Sequence, residues 1–259
     1  MSKCVIGAQL FTVRQFTKTI EDVALTFQKI ADIGYKAVQI SAFGPVDYKQ
    51  VAQLAKDHGL VVGASHNGWD EFRDDLDNVI ACNKAWGCDH LAIGGLSSEY
   101  RSLDGIKRFM DELGLLNEKL AAEGMDFSYH NHNMEFARFD CPNNKTWMET
   151  LFDLSEGTGL NFEIDTYWVQ AGGAAPTLWL KKCAGRMPVI HFKDMCITPE
   201  REIRMAPIGE GNLNWPGLLE AANAGGTKFA FIEQDLTYDR DPFECLASSF
   251  RYLHSLGAC

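Results

Sequence analysis

A chain of 259 residues, 46% hydrophobic and 23% charged, has room for one large α/β domain or two small ones. Its formal net charge of −11 opposes a nucleic-acid partner, because binding a phosphate backbone needs a basic surface. No run approaches the roughly 18 apolar residues of a membrane span, and Met1-Ser2-Lys3 leads into the first strand without an apolar signal core, so a soluble, cytosolic protein is expected.

The opening strand, CVIGAQL, ends on Gln9, and no Gly-x-Gly-x-x-Gly turn follows it, which argues against an open doubly wound sheet. The first helix is expected over Thr19–Ile33, with Thr17 or Thr19 as cap, Glu21 and Asp22 in the first turn, and Val23, Phe27, Ile30 and Ala31 facing inward. From there an amphipathic stretch runs repeatedly into a glycine and then a short apolar strand: ADIGYKAVQIS, KDHGLVVGAS, KAWGCDHLAIGG, AAEGMDFSYHNH, SEGTGLNFEID, CAGRMPVIHFKD and NAGGTKFAFIEQD. The later helices are expected at 46–57, 70–86, 103–123, 145–156, 177–183, 215–224 and 242–255, each apolar on one side. Gly34, Gly59, Gly87, Gly124, Gly157 or Gly159, Gly185, and Gly225 or Gly226 occupy helix-stop positions suited to left-handed backbone.

Eight strands alternating with helices require parallel pairing and right-handed crossovers. A single (β/α)8 TIM barrel over residues 1–259 is therefore the expected α/β fold, since such a barrel takes about 250 residues. Residues 194–214, with Pro199, Pro207, Gly209 and Gly211, form the longest segment expected to be irregular, and a loop that long is usually functional or disordered. The eight cysteines include no Cys-x-x-Cys pair and read as reduced, with Cys82, Cys183 and Cys245 on helices and Cys4 starting a strand.

Active sites of such barrels lie at the carboxyl ends of the strands. Gln9, Gln39, His66 and Gly94-Gly95 occupy the first four ends. From the fifth strand on the ends are ionisable: His130, His132 and Glu135; Glu163 and Asp165; His191, Lys193 and Asp194; Glu233 and Asp235. Asp165, His191 and Glu233 follow apolar runs at similar depth on successive strands, and parallel neighbours lie about 5 Å apart, so their side chains converge. Two carboxylates and an imidazole in a low-dielectric mouth repel or neutralise unless a cation holds them, and a divalent metal is the economical explanation. The fourth ligand is expected from strand five, where His130, His132 and Glu135 are the candidates. A carboxylate-rich set suits Mn²⁺, Mg²⁺ or Co²⁺, and a second histidine tilts it toward Zn²⁺. Lys193 shares the strand face of His191, suited to a substrate oxygen or to an ion pair with Asp165 or Glu163. Trp69, Trp168, Phe11 and Trp215 are candidates for stacking on a sugar ring, and Arg204 and Glu210, in the long segment, for other substrate contacts.

Taken together, YHNHNMEF (129–136), EIDTYW (163–168), IHFKD (190–194), PIGEGNLNW (207–215) and IEQD (232–235) resemble the xylose isomerase-like TIM barrel superfamily, in particular its sugar phosphate isomerase/epimerase group. The resemblance covers essentially the whole chain. It implies a divalent ion, Mn²⁺ first, on an acidic residue of strand five (Glu135 here) together with Asp165, His191 and Glu233, with Glu233, Glu135 and Lys193 as catalytic groups. His66, His130, His132, Trp168, Arg204 and Glu210 would surround the substrate. Strand five departs from the pattern: His130-Asn131-His132 stands where many relatives read Glu-Asn-His. The endonuclease branch of the superfamily is disfavoured, because Trp168 follows Asp165 by three and no Asp-x-His precedes Gly209-Glu210-Gly211.

The implied activity is isomerisation or epimerisation of an unphosphorylated keto-sugar or related polyhydroxy carbonyl compound through an enediolate. The alternatives are a lyase or dehydratase acting on a cyclic keto-polyol or 3-keto-glycoside, and a non-catalytic sugar-binding barrel. The expected partner is a small sugar, with homo-oligomerisation left open.

Overall fold

Period-two alternation decides which residues enter the barrel. In the computed structural model, which describes residues 3–259, eight parallel strands close on themselves: β1 (Val5–Gln9), β2 (Ala37–Ile40), β3 (Val61–Asn67), β4 (His90–Ile93), β5 (Asp126–His130), β6 (Leu160–Asp165), β7 (Val189–Phe192) and β10 (Phe229–Ile232). Closure comes from β1 against β10, with Val5 opposite Phe229 and Ala8 opposite Ile232. On β6 the apolar Leu160, Phe162 and Ile164 face the helices, while Asn161, Glu163 and Asp165 alternate with them and face inward. Met1 and Ser2 lie outside the described residues.

The outer layer comprises α1 (Ile20–Ile33), α2 (Tyr48–Asp57), α3 (Trp69–Asp74), α4 (Leu76–Trp86), α5 (Leu103–Ala122), α6 (Trp147–Leu154), α7 (Thr166–Ala171), α8 (Pro176–Lys182), α9 (Trp215–Ala224) and α10 (Pro242–Ser255). Thr19, not Thr17, caps α1 in a reciprocal box with Asp22. The helix expected over 70–86 breaks at Asp75, whose φ of −143° and ψ of 41° are non-helical; it ends α3 and begins α4, a boundary role that Asp favours. The unexpected α7 starts directly from the site, with Asp165 Oδ1 accepting the Trp168 N–H at 3.0 Å. Of the paired glycine candidates, Gly157, Gly159 and Gly226 take positive φ, whereas Gly225 is right-handed at −74°. Cys183 lies at the C-cap of α8, and all eight cysteines are free. Among the described residues no helix is long and apolar enough to cross a membrane.

The segment after β7, expected to be irregular, holds an antiparallel hairpin, β8 (Asp194–Ile197) with β9 (Ile203–Ala206). Asp194 ties it down. Its carboxylate accepts the N–H groups of Gly209 (2.9 Å), Gly211 (3.1 Å) and Leu213 (3.2 Å) and Nε1 of the buried Trp215 (2.6 Å).

Aromatic rings fill the lower barrel. Phe229 and Phe231 stack at 5.9 Å, against Ala37, Ala64 and Val189. Gly63 and Gly7 make the room: a Cβ on Gly7 would sit 2.4 Å from the Phe231 ring, and one on Gly63 2.8 Å from Phe229. Above this floor, the interior positions turn polar.

Replacing Asp194 by Ala strands these four donors and the Met195 N–H, 2.8 Å from the same carboxylate. With each buried orphan costing about 1–3 kcal/mol, urea unfolding of Asp194→Ala should show a loss of about 3 kcal/mol or more; less than about 1 kcal/mol would mean that water replaces the carboxylate.

Candidate metal centre and active site

The inward positions at the upper ends of β5, β6, β7 and β10 bring His130, Asp165, His191 and Glu233 together. One potential ligand atom from each lies within 4.8 Å of all the others, and all four residues are buried. Sheet register sets the arrangement: Asp165 is the strand neighbour of His191, and the Glu233 N–H bonds to the Phe192 carbonyl on β7. Asp165 Oδ2 is central, 3.3 Å from His130 Nε2 and 3.9 Å from His191 Nδ1. His191 Nδ1 is also 2.8 Å from Glu233 Oε2.

A second layer holds these groups. Gln39 Nε2 donates to Glu163 Oε1 at 2.7 Å, while Gln39 Oε1 faces His191 Nε2 at 2.6 Å. The other Glu163 oxygen pairs with His66 Nε2. Lys193 places its ammonium among three carboxylates: Glu233 (2.7 Å), Asp235 (2.8 Å) and Asp165 (3.1 Å). It therefore pairs with Asp165, as expected for one of its two roles, and not with Glu163.

Burial acts against every charge here, and the pairings decide which survive. Against the desolvation of its site, the imidazoles of His191 and His66 hold Glu163 well below the usual carboxylate range. Burial lowers His191, but Glu163 and Glu233 outweigh it and raise the group to about 10. Lys193 is likewise raised, by Asp165, Glu233 and Asp235. Burial and then the neighbouring His191 push His130 well below its ordinary value, leaving the neutral imidazole that ligates metals. Burial and Glu233 raise Asp235 to about 6.

The donor set suits a divalent cation. His130 Nδ1 is buried without a hydrogen-bond partner, although such groups are nearly always satisfied in folded proteins, while His191 Nδ1 and Glu233 Oε2 lie 2.8 Å apart as an ion pair without hydrogen-bond geometry. Two imidazoles and two carboxylates around one point are the chemistry of a metal site.

A cavity of about 660 Å³ opens on the cluster, lined by His66, His130, His132, Lys193, Glu233 and Asp235 on one side and by Phe11, Ser41, Phe43, Asn67 and Glu71 on the other. Lys193 is the only Lys or Arg in this wall. Trp168 stands beside it, 5.2 Å from the His132 ring and 5.6 Å from the Lys193 ammonium.

Several expected site residues lie elsewhere. Glu135 does not fold back over the mouth: in a 3-10 turn beyond β5 it accepts from the Tyr129 hydroxyl and the His132 N–H, both at 2.9 Å, and the strand-five place in the cluster is taken by His130. Arg204, on the exposed face of β9, is paired with Glu202 at 2.6 Å. Glu210 is held by Arg240 and Ser248, both at 2.6 Å, away from the cavity. Trp69 is packed against Phe109 and bonded to Tyr100 and Glu112, and Trp215 serves Asp194; neither lines the cavity. Conversely, Gln39, Glu163 and Asp235 carry more of the network than their strand-end positions alone suggested.

The barrel, closed by β1 against β10 with this cluster at its mouth, matches one family. The model of the xylose isomerase-like TIM barrel family fits residues 27–247, and the chain belongs to that family. Among solved structures it is similar to a sugar phosphate isomerase/epimerase from Parabacteroides distasonis, at 20% identity and TM-score 0.81 over 98% of this chain and 95% of the other. It is also similar to an L-ribulose 3-epimerase (17%, TM-score 0.74, 98% and 94%) and to the 3-keto-D-glucoside 4-epimerase of E. coli (17%, TM-score 0.68, 98% and 100%). At these identities the likeness is one of fold. No curated protein matches by sequence.

Two of the three strand-five candidates, His130 and Glu135, should now separate. His130→Ala should lower the cation content of the purified protein, whereas Glu135→Gln should retain it, because its carboxylate is bound to Tyr129 and His132. Elemental analysis of the two variants decides, and the opposite pattern would return the ligand to Glu135.

Proposed function

We propose that the protein is a metal-dependent isomerase or epimerase of an unphosphorylated keto-sugar or related polyhydroxy carbonyl compound. The observation that supports this most directly is the convergence of His130, Asp165, His191 and Glu233 on one point, with His130 and Glu233 in the wall of a sugar-sized cavity. These four residues would hold the ion. Bound there, a divalent cation supplies Lewis-acid polarisation of a carbonyl and its neighbouring hydroxyl, which acidifies the carbon between them. With His130 in place of a strand-five carboxylate, the set has two imidazoles, which moves the preference from Mn²⁺ toward Co²⁺ or Zn²⁺.

The rest of the chemistry belongs to side chains that line the cavity. Glu233 is the carboxylate at the cavity wall suited to take up the proton. Lys193, cationic and fixed by three carboxylates, is placed to stabilise the oxygen on which negative charge develops. His66 and His132 would hold hydroxyls, and Trp168, behind His132 and Lys193, would back that wall. Glu135 has no part in proton transfer from where it sits. The same proton abstraction initiates β-elimination, so a lyase would differ by expelling a leaving group.

The absence of a free cation in the wall favours an unphosphorylated substrate. Lys193 is already committed, and Arg204 lies outside on the hairpin. Phosphate sites in barrels use backbone N–H groups after the last strands with Arg or Lys beside them, but here Asp194 and Asp235 occupy those turns.

Metal-loaded protein incubated with a keto-sugar panel in D₂O should exchange one carbon-bound hydrogen and yield an isomer or epimer. Deuterium incorporation with loss of water or an alcohol would identify the lyase instead, and no exchange on any sugar would support a binding protein. On matched pairs, the free sugar should exceed its phosphate in kcat/KM; a phosphate ester preferred by about tenfold or more would refute the unphosphorylated assignment.

A further inference from the structure

Glu163 is wholly buried, lies outside the four-residue cluster, and does not line the cavity. An ionised carboxylate in such a place is costly unless each oxygen is occupied, and both are: Oε1 by Gln39 and, at 3.3 Å, by His191 Nε2 itself, and Oε2 by His66. We propose that Glu163, acting through Gln39, is a positioning residue that fixes which nitrogen of His191 faces Asp165 and Glu233, and so sets the affinity of the centre for its cation.

The argument is one of donor and acceptor parity. A carboxylate only accepts, so Gln39 must turn its NH₂ toward Glu163, at 2.7 Å. Its carbonyl oxygen then faces His191 Nε2 at 2.6 Å and requires a proton on that nitrogen. With Nε2 committed as donor, the lone pair available to a cation is on Nδ1, the atom 2.8 Å from Glu233 Oε2 and 3.9 Å from Asp165 Oδ2. The reverse amide orientation would present NH₂ to Nε2. The imidazole would then keep its proton on Nδ1, where an N–H cannot ligate. Gln39 alone has no preference between the two; the charge on Glu163 supplies it. Histidine ligands to metals commonly depend on such an outer partner for tautomer and ring angle, and its loss costs roughly 10–100-fold in metal affinity.

This inference rests on the metal site proposed above, and titration of the full chain with Mn²⁺, Co²⁺ and Zn²⁺ alone tests the two separately. Glu163→Gln removes the acceptor-only group at nearly constant volume. It should bind each ion roughly 10–100-fold more weakly than wild type, with an altered Co²⁺ visible spectrum. Gln39→Leu, which deletes the relay and its hydrogen bond to Glu163 but keeps the carboxylate, should weaken binding in the same direction and serves if the first variant does not fold. The exchange Gln39→Glu with Glu163→Gln returns an acceptor-only group to His191 Nε2, and should restore both affinity and spectrum. Wild-type affinity and an unchanged Co²⁺ spectrum in the folded single variants would overturn the positioning role while leaving the metal site standing, as would an exchange variant no better than Glu163→Gln alone. A wild-type protein that takes up none of the three ions would overturn both.

Discussion

The upper half of this barrel is organised by the need to balance buried negative charge. Glu163, Asp165 and Glu233 are buried at one end of the barrel with Asp235 half-buried beside them, and Lys193 contacts the last three. Removing a carboxylate from water is worth several kcal/mol of penalty even after relaxation, so the arrangement requires compensation from several directions at once. The imidazoles of His66 and His191 offset Glu163, and Lys193 offsets the other three. Every other feature of the mouth follows from this, including the orientation of Gln39 and the start of α7 on the Asp165 side chain.

That balance shows how such a cluster can be stable without a cation and still be able to receive one. The metal-free cluster is neutralised by an ammonium on a flexible stem and by protonated imidazole, both of which can yield. Ligation at His191 would release a proton, since a cation and the proton would compete for the same nitrogen. Apolar groups in these positions would be as stable or more so, and would bind nothing.

How much of this the sequence disclosed depended on the range of the contacts involved. The barrel was legible because strand, glycine and helix recur with local signals, and the meeting of Asp165, His191 and Glu233 was legible because parallel register and period-two alternation carry side chains to a common height. The strand-five position was not. Whether Glu135 reaches the mouth is decided by the hydroxyl of Tyr129, an outward-facing residue whose partner cannot be inferred from spacing. The same holds for Arg204 and Glu210, whose charges are consumed by Glu202 and Arg240. The hairpin of β8 and β9 was hidden by its Pro199-containing turn, and α7 by a Thr-Tyr-Trp-Val composition that favours strand. Gln39 showed the weakest signal of all: a lone amide in an apolar strand, whose role appears only when Glu163 and His191, from two other strands, are set beside it.

The Phe229 and Phe231 stack below the site has a consequence for traffic through the barrel. With Gly7 and Gly63 cut back to admit the two rings, the barrel is plugged beneath its polar layer, and the His90, Asp126 and Lys228 groups below the plug are cut off from the chemistry. The reaction vessel has one opening. Anything that reaches the cluster must enter and leave through the same mouth, so in the reaction proposed above a lingering product would occlude the next substrate and inhibit competitively.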